Sequence, residues 1–496
     1  MIHPVAFGAT TPAYNQEPPF HPGTRFPELP FTEVSAQPNA PYALLRELFR
    51  SLDLDTASFG TPRWNPLGHL IRPGQTVLIK PNFVLSFNDG GGDLFSVITH
   101  PSILRAMVDY ACIALRGQGR IIIADVPQMD CDWDELMRAQ RLDSIQEFYA
   151  TRFGFKVETY DLRNFAVIDH TQPALTQNRK KLPGDPAGSV IINLGRQSHF
   201  YGLPNQNYYG ADYNRDETIA HHHGETQEYC VSKTILSADV FLSVPKMKTH
   251  KKVGVTLNLK GLVGINTNKN YLIHYRLGTP KTGGDQLPDT RPGSDQTLVK
   301  IQRWAYDKLL ARQSKTADAI YNIARRLYRA TLKPFLKVSQ DTLILDAGNW
   351  HGNDSAWRMT ADLAKILFFA DATGKLHGTP QRKMFCVVDG IVGGERMGPL
   401  EPDAKPCGCL VAGHHPMAVD LVTTRLMGFD PRKIRQFDLA FESAWDFGLR
   451  HYSDIEVRDA RPGGVSIGGE RFFASNDRDH RFNFVPHPGW VGNVEV

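Results

Sequence analysis

The chain has 496 residues, 41% hydrophobic and 22% charged, the proportions of a folded protein with a large core and room for two or three domains. Its 56 Lys and Arg against 52 Asp and Glu leave a net charge of only +4, which argues against a protein held to nucleic acid by overall charge. No apolar run approaches the roughly 18 residues of a membrane span. The opening residues, MIHPVAFGATTPAYNQ, carry neither the basic nor the apolar region of a secretory signal, so the expected location is the cytoplasm. Cys112, Cys131, Cys230, Cys386, Cys407 and Cys409 are too few and too dispersed for a disulfide scaffold.

Residues 1–66 are rich in Pro and aromatics, hold one helix near 42–52, and read as a leader packed over the main body. Residues 75–79 form a buried strand ending at Lys80. The loop Asp89-Gly90-Gly91-Gly92-Asp93 lacks the spacing of a phosphate-binding fingerprint and reads as a flexible loop. Pro101 opens a helix on which Leu104, Val108, Ala111 and Leu115 share a face, closed by Gly117. A strand over 120–125 ends at Asp125. A helix near 142–152 and a strand near 155–159 continue the alternation, which predicts a mostly parallel, doubly wound α/β sheet.

Residues 162–230 are mostly polar, with one strand over 189–194. Three adjacent histidines, His221-His222-His223, cannot all face one ion, so a loop with exposed histidines is expected there and no metal site is assigned. From Val240 to Gly284 the character changes. This stretch carries Lys246, Lys248, Lys251, Lys252, Lys260, Lys269, Arg276 and Lys281 without one Asp or Glu, a field that gathers anions. The apolar run 240–244 reads as a buried strand stopped by Pro245, with Lys246 and Lys248 just past its end. Residues 253–263 fit either strand or helix. A helix is favoured by the small face at Gly254, Asn258 and Gly261, and it would set His250 and Lys251 at an anion-favouring N-terminus.

A Gly/Pro/Asp linker over 281–295 leads to two helices, 296–313 and 316–336. The second is basic and reads as a cap over the site, or as a surface that meets a membrane or a protein partner. Then come a strand over 342–345 ending at Asp346, a helix bearing Leu363, Ile366 and Leu367, and a strand over 384–388 ending at Asp389. A strand over 408–412 ends at Gly413-His414, and Pro416 starts a helix closed by Gly428. The expected organisation is a leader (1–66), a first α/β half (67–295) with an anion-binding loop (245–276), a helical insertion (296–340), and a second α/β half with its tail (341–496).

Several of these blocks share one likeness. Ser243-Val244-Pro245-Lys246-Met247-Lys248-Thr249-His250 with Leu259-Lys260-Gly261-Leu262-Val263-Gly264 resembles the bacterial and archaeal family called domain of unknown function 362. So do Val77-Leu78-Ile79-Lys80-Pro81-Asn82, Val387-Val388-Asp389-Gly390 through Gly398-Pro399, and Ala418-Val419-Asp420 with Leu426-Met427-Gly428. The likeness runs from about residue 76 to 430 and implies a fold and a site but hardly a reaction. Many relatives carry an added iron–sulfur segment with Cys-x-x-Cys spacing. This chain has no Cys-x-x-Cys, so a cluster is not expected; a divalent metal stays open and the cofactor is unassigned.

Lys80, Asp125, Lys246, Asp346, Asp389 and His414 each fall at the end of a predicted strand, the edge where open α/β sheets bind ligands. One such Asp alone ordinarily caps the next helix; six strand ends beside the basic loop point to a site. Lys80, Lys246, Lys248 and Lys260 are expected to hold an anion, with His250, Asp389 and His414 as acid–base groups. No Walker loop, nucleophile elbow or zincin helix is present. The expectation is an enzyme acting on a small phosphorylated or carboxylated metabolite, an isomerase or a transferase. The basic loop is loosely similar to that of nickel-dependent lactate racemases, which implies an isomerase or epimerase. The alternatives are an accessory cofactor-binding or redox-partner protein, and a nucleic-acid binder, which the lack of aromatics before Tyr271 in the basic loop disfavours.

Overall fold

The computed structural model describes residues 2–168, 178–204, 207–212, 214–309, 338–441, 445–475 and 481–496, with helical positions 316, 319, 320, 322, 323 and 326 between them. Its frame is one mixed sheet. Nine strands lie edge to edge in the order Ser466–Gly468, Ile455–Asp459, His3–Ala9, Asp403–Gly413, Lys383–Glu395, Val240–Val244, Thr76–Pro81, Arg120–Asp125 and Val157–Asp161. The five from Lys383–Glu395 onward run parallel, whereas Asp403–Gly413 is antiparallel to both of its neighbours.

Successive side chains of a strand point to opposite faces, and here each face carries its own core. Val77 and Ile79 pack with the helices Ala40–Ser51, Pro101–Leu115 and Leu142–Phe153. Leu78 packs on the other side with Ala356–Phe369 and Pro416–Met427. Both α/β halves therefore meet in a single sheet wound on two faces. Sequence chemistry sets the helix ends: His100 caps Pro101–Leu115 by accepting the Ser102 N–H, with Pro101 at the first helical position.

Four expectations need correction. The first residues are not a leader strapped over the surface, because His3–Ala9 is an internal strand of the sheet. Residues 340–345 form a helix, not a strand, since Ser339 caps it and Asp341 sits in its first turn. The strand through Asp389 does not end there but runs to Glu395. His222, expected to be exposed, is buried, with hydrogen bonds to Gln227 Oε1 and the Tyr271 carbonyl. The first predicted helix of the insertion is Gly293–Leu309; the second, 316–336, lies mostly outside the described residues.

Candidate anion-binding site

The chain winds outward from Thr76–Pro81 through Arg120–Asp125 to Val157–Asp161, then returns as Val240–Val244 on the other flank of Thr76–Pro81. That reversal is a topological switch point, and the carboxyl ends of the strands there part to leave a crevice. A cavity of about 300 Å³ opens at this place. Among the described residues its walls carry Lys80, Lys248, Lys251, Lys252, Lys260 and Lys269, the histidines His250 and His274, and a single carboxylate, Asp125.

Pro245 explains how the lysines reach it. Lacking an N–H, it breaks the pairing with Thr76–Pro81, and the chain continues as a second strand, Lys246–His250, paired in parallel with Lys383–Glu395. His250 then turns back on Gly254 in a tight antiparallel pair. The short helix Leu257–Gly261 consequently starts after that turn and not at His250. Its free N–H groups do not await a ligand: the Asp420 carboxylate accepts from Asn258 N–H at 2.9 Å and Leu259 N–H at 2.8 Å. Leu257, buried at a φ of 44°, holds the left-handed conformation that side chains resist, a strain the Asp420 clamp sustains.

Most of the cavity lysines are occupied. Lys80 pairs with Asp125 at 2.8 Å, and Asp125 also accepts the Phe83 and Val126 N–H groups. Gly264 lies against this pair; a Cβ there would overlap Asp125 and stand 2.7 Å from Lys80 Nζ, so only glycine fits. Lys248 donates to the carbonyls of Val97 (2.6 Å) and Pro399 (3.0 Å). Lys269 donates to those of Val126 and Val263, both at 2.9 Å. Lys252 donates to the Ala347 carbonyl and to Asn349 Oδ1. None of the last three has a carboxylate in contact among the described residues. Burial pushes the Lys248 and Lys252 ammonium groups well below the usual lysine range and brings Lys269 to about 7.

Lys260 and Lys251 differ. Among the described residues the Lys260 side chain has no hydrogen-bond or ion-pair partner, although the residue is only 6% exposed, and burial alone lowers it to about 7. Lys251 is half-buried; Glu401 and Asp89 act on it from beyond contact range. The histidines are neutral and complementary. His250 Nδ1 accepts the Lys252 N–H at 3.0 Å, so its proton sits on Nε2. His274 Nδ1 faces the Leu272 carbonyl at 3.3 Å, so it carries the proton and leaves Nε2 a lone pair. Burial, then Lys260, holds both well below the ordinary histidine range.

The structure thus brings Lys80, Asp125, Lys248, His250 and Lys260 to one cavity. Four other predicted residues fall outside its walls. Lys246 is fully buried and pairs with Asp389 at 3.0 Å; Tyr14 OH bridges them, donating to Asp389 at 2.7 Å and accepting from Lys246 at 2.6 Å. The His100 N–H closes the cluster on Asp389 at 3.0 Å, leaving a self-contained knot. His414 follows a strand antiparallel to Lys383–Glu395, with Gly413 opposite Cys386, so it lies at the amino ends of the parallel strands. There it packs on His69 and Phe385, at the edge opposite the cavity. Asp346 is the C-cap of a helix, beside the cavity residues Ala347 and Asn349, and is engaged by Arg303 at 2.9 Å and Gln286 at 2.8 Å.

His274 was absent from the predicted site. The signal for it was in the sequence, since it lies in the same acid-free stretch as His250. Its position comes from the strand Ile273–Arg276, which pairs with Tyr208–Gly210 to close one wall. Among the described residues no group of three or more His, Cys, Asp or Glu is placed to hold a metal ion.

Among curated proteins, none matches the chain. A family model does: the one described as Domain of unknown function (DUF362) matches residues 182–425. That span includes Lys246, the cavity lysines from Lys248 to Lys269, both cavity histidines and the Asp420 clamp, while Lys80 and Asp125 precede it. Through this stretch the chain belongs to the DUF362 family.

Proposed function

We propose that the cavity binds a small anionic metabolite, phosphorylated or carboxylated, and that the protein is an enzyme acting on it by acid–base chemistry among His250, His274 and Lys260. The observation that carries this reading is an excess of charge: six lysines share the walls with one carboxylate, and that carboxylate already serves Lys80. Burying ammonium groups without counter-ions is costly, and an anion supplied by the substrate removes the cost. His250 offers an N–H and His274 a lone pair, the two halves of a proton transfer. An isomerase or epimerase uses such a pair directly, taking a proton on one side of a carbon and returning one on the other. No described helix is long and apolar enough to cross a membrane, and a cytoplasmic setting fits a substrate of this kind.

The test is a thermal-shift panel of inorganic phosphate, pyrophosphate, and mono- and dicarboxylates. The wild type should gain Tm with at least one of them, and Lys251→Ala combined with Lys260→Met should lose that gain. A double variant that keeps the full shift would remove the cavity from the account.

A further inference from the structure

We infer that Lys260 is a nucleophile whose side-chain nitrogen forms an imine with the carbonyl of a small oxo acid or keto phosphate held in the cavity. The inference rests on the anion-binding reading above and adds the class of substrate and a covalent step.

Geometry singles out this lysine. Lys80 is tied to Asp125, while Lys248, Lys252 and Lys269 are tied to carbonyl or amide oxygens. Lys251 is half-buried, within electrostatic reach of Glu401 and Asp89. Lys260 alone combines near-complete burial with an amine that no described group engages. Its backbone is fixed, because it lies on the helix Leu257–Gly261 whose start is clamped by Asp420. The groups that feel its charge are Lys248, Lys252, Lys269, His250 and His274, all basic. An amine desolvated among cations loses its proton readily and becomes nucleophilic near neutral pH. Burial brings this one to about 7, in agreement with the geometry.

The step balances with what the cavity holds. The Lys260 ammonium gives one proton to His274 Nε2 and attacks the carbonyl carbon; the C=O π pair moves onto oxygen. His274 returns that proton to the oxygen, giving a carbinolamine hydroxyl. A second proton passes from nitrogen to the hydroxyl by the same route, and the C–O bond breaks to release water as the nitrogen lone pair closes the C=N bond. Two of the three ammonium protons leave in the water and the third stays on the iminium nitrogen. No oxidant, reductant or metal is required. The iminium then draws electrons from a neighbouring C–H bond, whose proton goes to His274, by then free again as a base.

Wild-type protein incubated with pyruvate, and separately with dihydroxyacetone phosphate, is reduced with sodium borohydride and mapped by peptide mass spectrometry. The expected result is one reduced adduct, located on Lys260, with at least one of the two. It should fall at least tenfold in Lys260→Arg, which keeps the charge, and persist in Lys156→Ala, a surface lysine outside the cavity walls. A wild type that gains Tm with these compounds yet yields no Lys260 adduct would overturn the imine while leaving the anion site standing. An adduct on another lysine would overturn it too. Neither adduct nor Tm gain, with inorganic anions also inert, would take down both readings.

Discussion

Lys246 and Lys260 belong to the same acid-free stretch and are both almost inaccessible, yet their surroundings are opposite. Lys246 is held by Asp389 and Tyr14, and Tyr14 in turn stacks on His100 at 3.9 Å. Burial, followed by Asp389, keeps the Tyr14 hydroxyl well above its ordinary range and therefore protonated. Burial, followed by Lys246, holds His100 neutral. That cluster carries its own counter-charge. Lys260 is nearly as buried and, among the described residues, has no counter-charge in contact. The difference teaches that a buried cation with its partner in the chain is a structural fixture, whereas one without such a partner is the place where we propose that an anion binds.

The largest effect should come from breaking the closed cluster. Asp389→Asn leaves Lys246 charged and unpaired in the interior, a change that costs about 3–5 kcal/mol. Urea unfolding would show it as a lowered midpoint at unchanged slope. A loss under about 1 kcal/mol, within the range of ordinary surface substitutions and exposed ion pairs, would mean that the pair is not what holds this strand.

Removing the unpaired charge should act in the other direction and more weakly. Lys260→Met is expected to stabilise the unliganded protein by about 1–3 kcal/mol, the scale of an unsatisfied buried polar group. The same lysine sets a pH dependence. Its folded value of about 7 lies below the ordinary 10.5, so between those values the unfolded chain binds more protons and stability rises with pH. Below pH 7 both states are protonated and the burial penalty is present in full. Lys269 contributes in the same window and with the same sign. Unliganded wild type should therefore gain Tm from pH 7 to pH 9, with a shallower gain in Lys260→Met. A Tm that falls over this range in wild type, in excess of the variant, would contradict the assignment.

The smallest effect is expected at the opposite edge of the sheet. His414→Gln should leave anion-dependent stabilisation unchanged within error, because His69 and Phe385 are its neighbours and the cavity is not. A loss of the anion shift in this variant would mean that the two edges communicate.

Much of the fold was legible because continuous apolar runs such as 77–79, 121–123 and 240–244 fix strands with two buried faces. The antiparallel direction of Asp403–Gly413 was not legible, because ending the preceding strand at Asp389 left residues 390–407, enough for a parallel crossover. The connection in the structure is only 396–402 and holds no helix, whereas a parallel return needs a crossover of a dozen or more residues. That one inversion carried His414 to the wrong edge. The concentration of lysines was legible as a run without acids, and Lys248, His250 and Lys260 line one cavity together with Lys80 and Asp125. Which lysines were already paired was not legible. The partner of Lys246 is Asp389, and the hydroxyl bridging them comes from Tyr14, contacts that only the assembled sheet creates. His274 depended in the same way on the pairing of Ile273–Arg276 with Tyr208–Gly210.

The central claim, that the cavity waits for an anion to complete its charge, is tested most directly by isothermal titration of the anion that gives the largest Tm gain. The titration is run near pH 7.5 in two buffers of different ionisation enthalpy. Binding should restore the proton to Lys260 and Lys269, so the observed heat should change between the buffers by the amount that net proton uptake requires. Affinity should weaken as the pH is raised to 9. Binding with no proton uptake, or an affinity indifferent to pH across this range, would contradict the account.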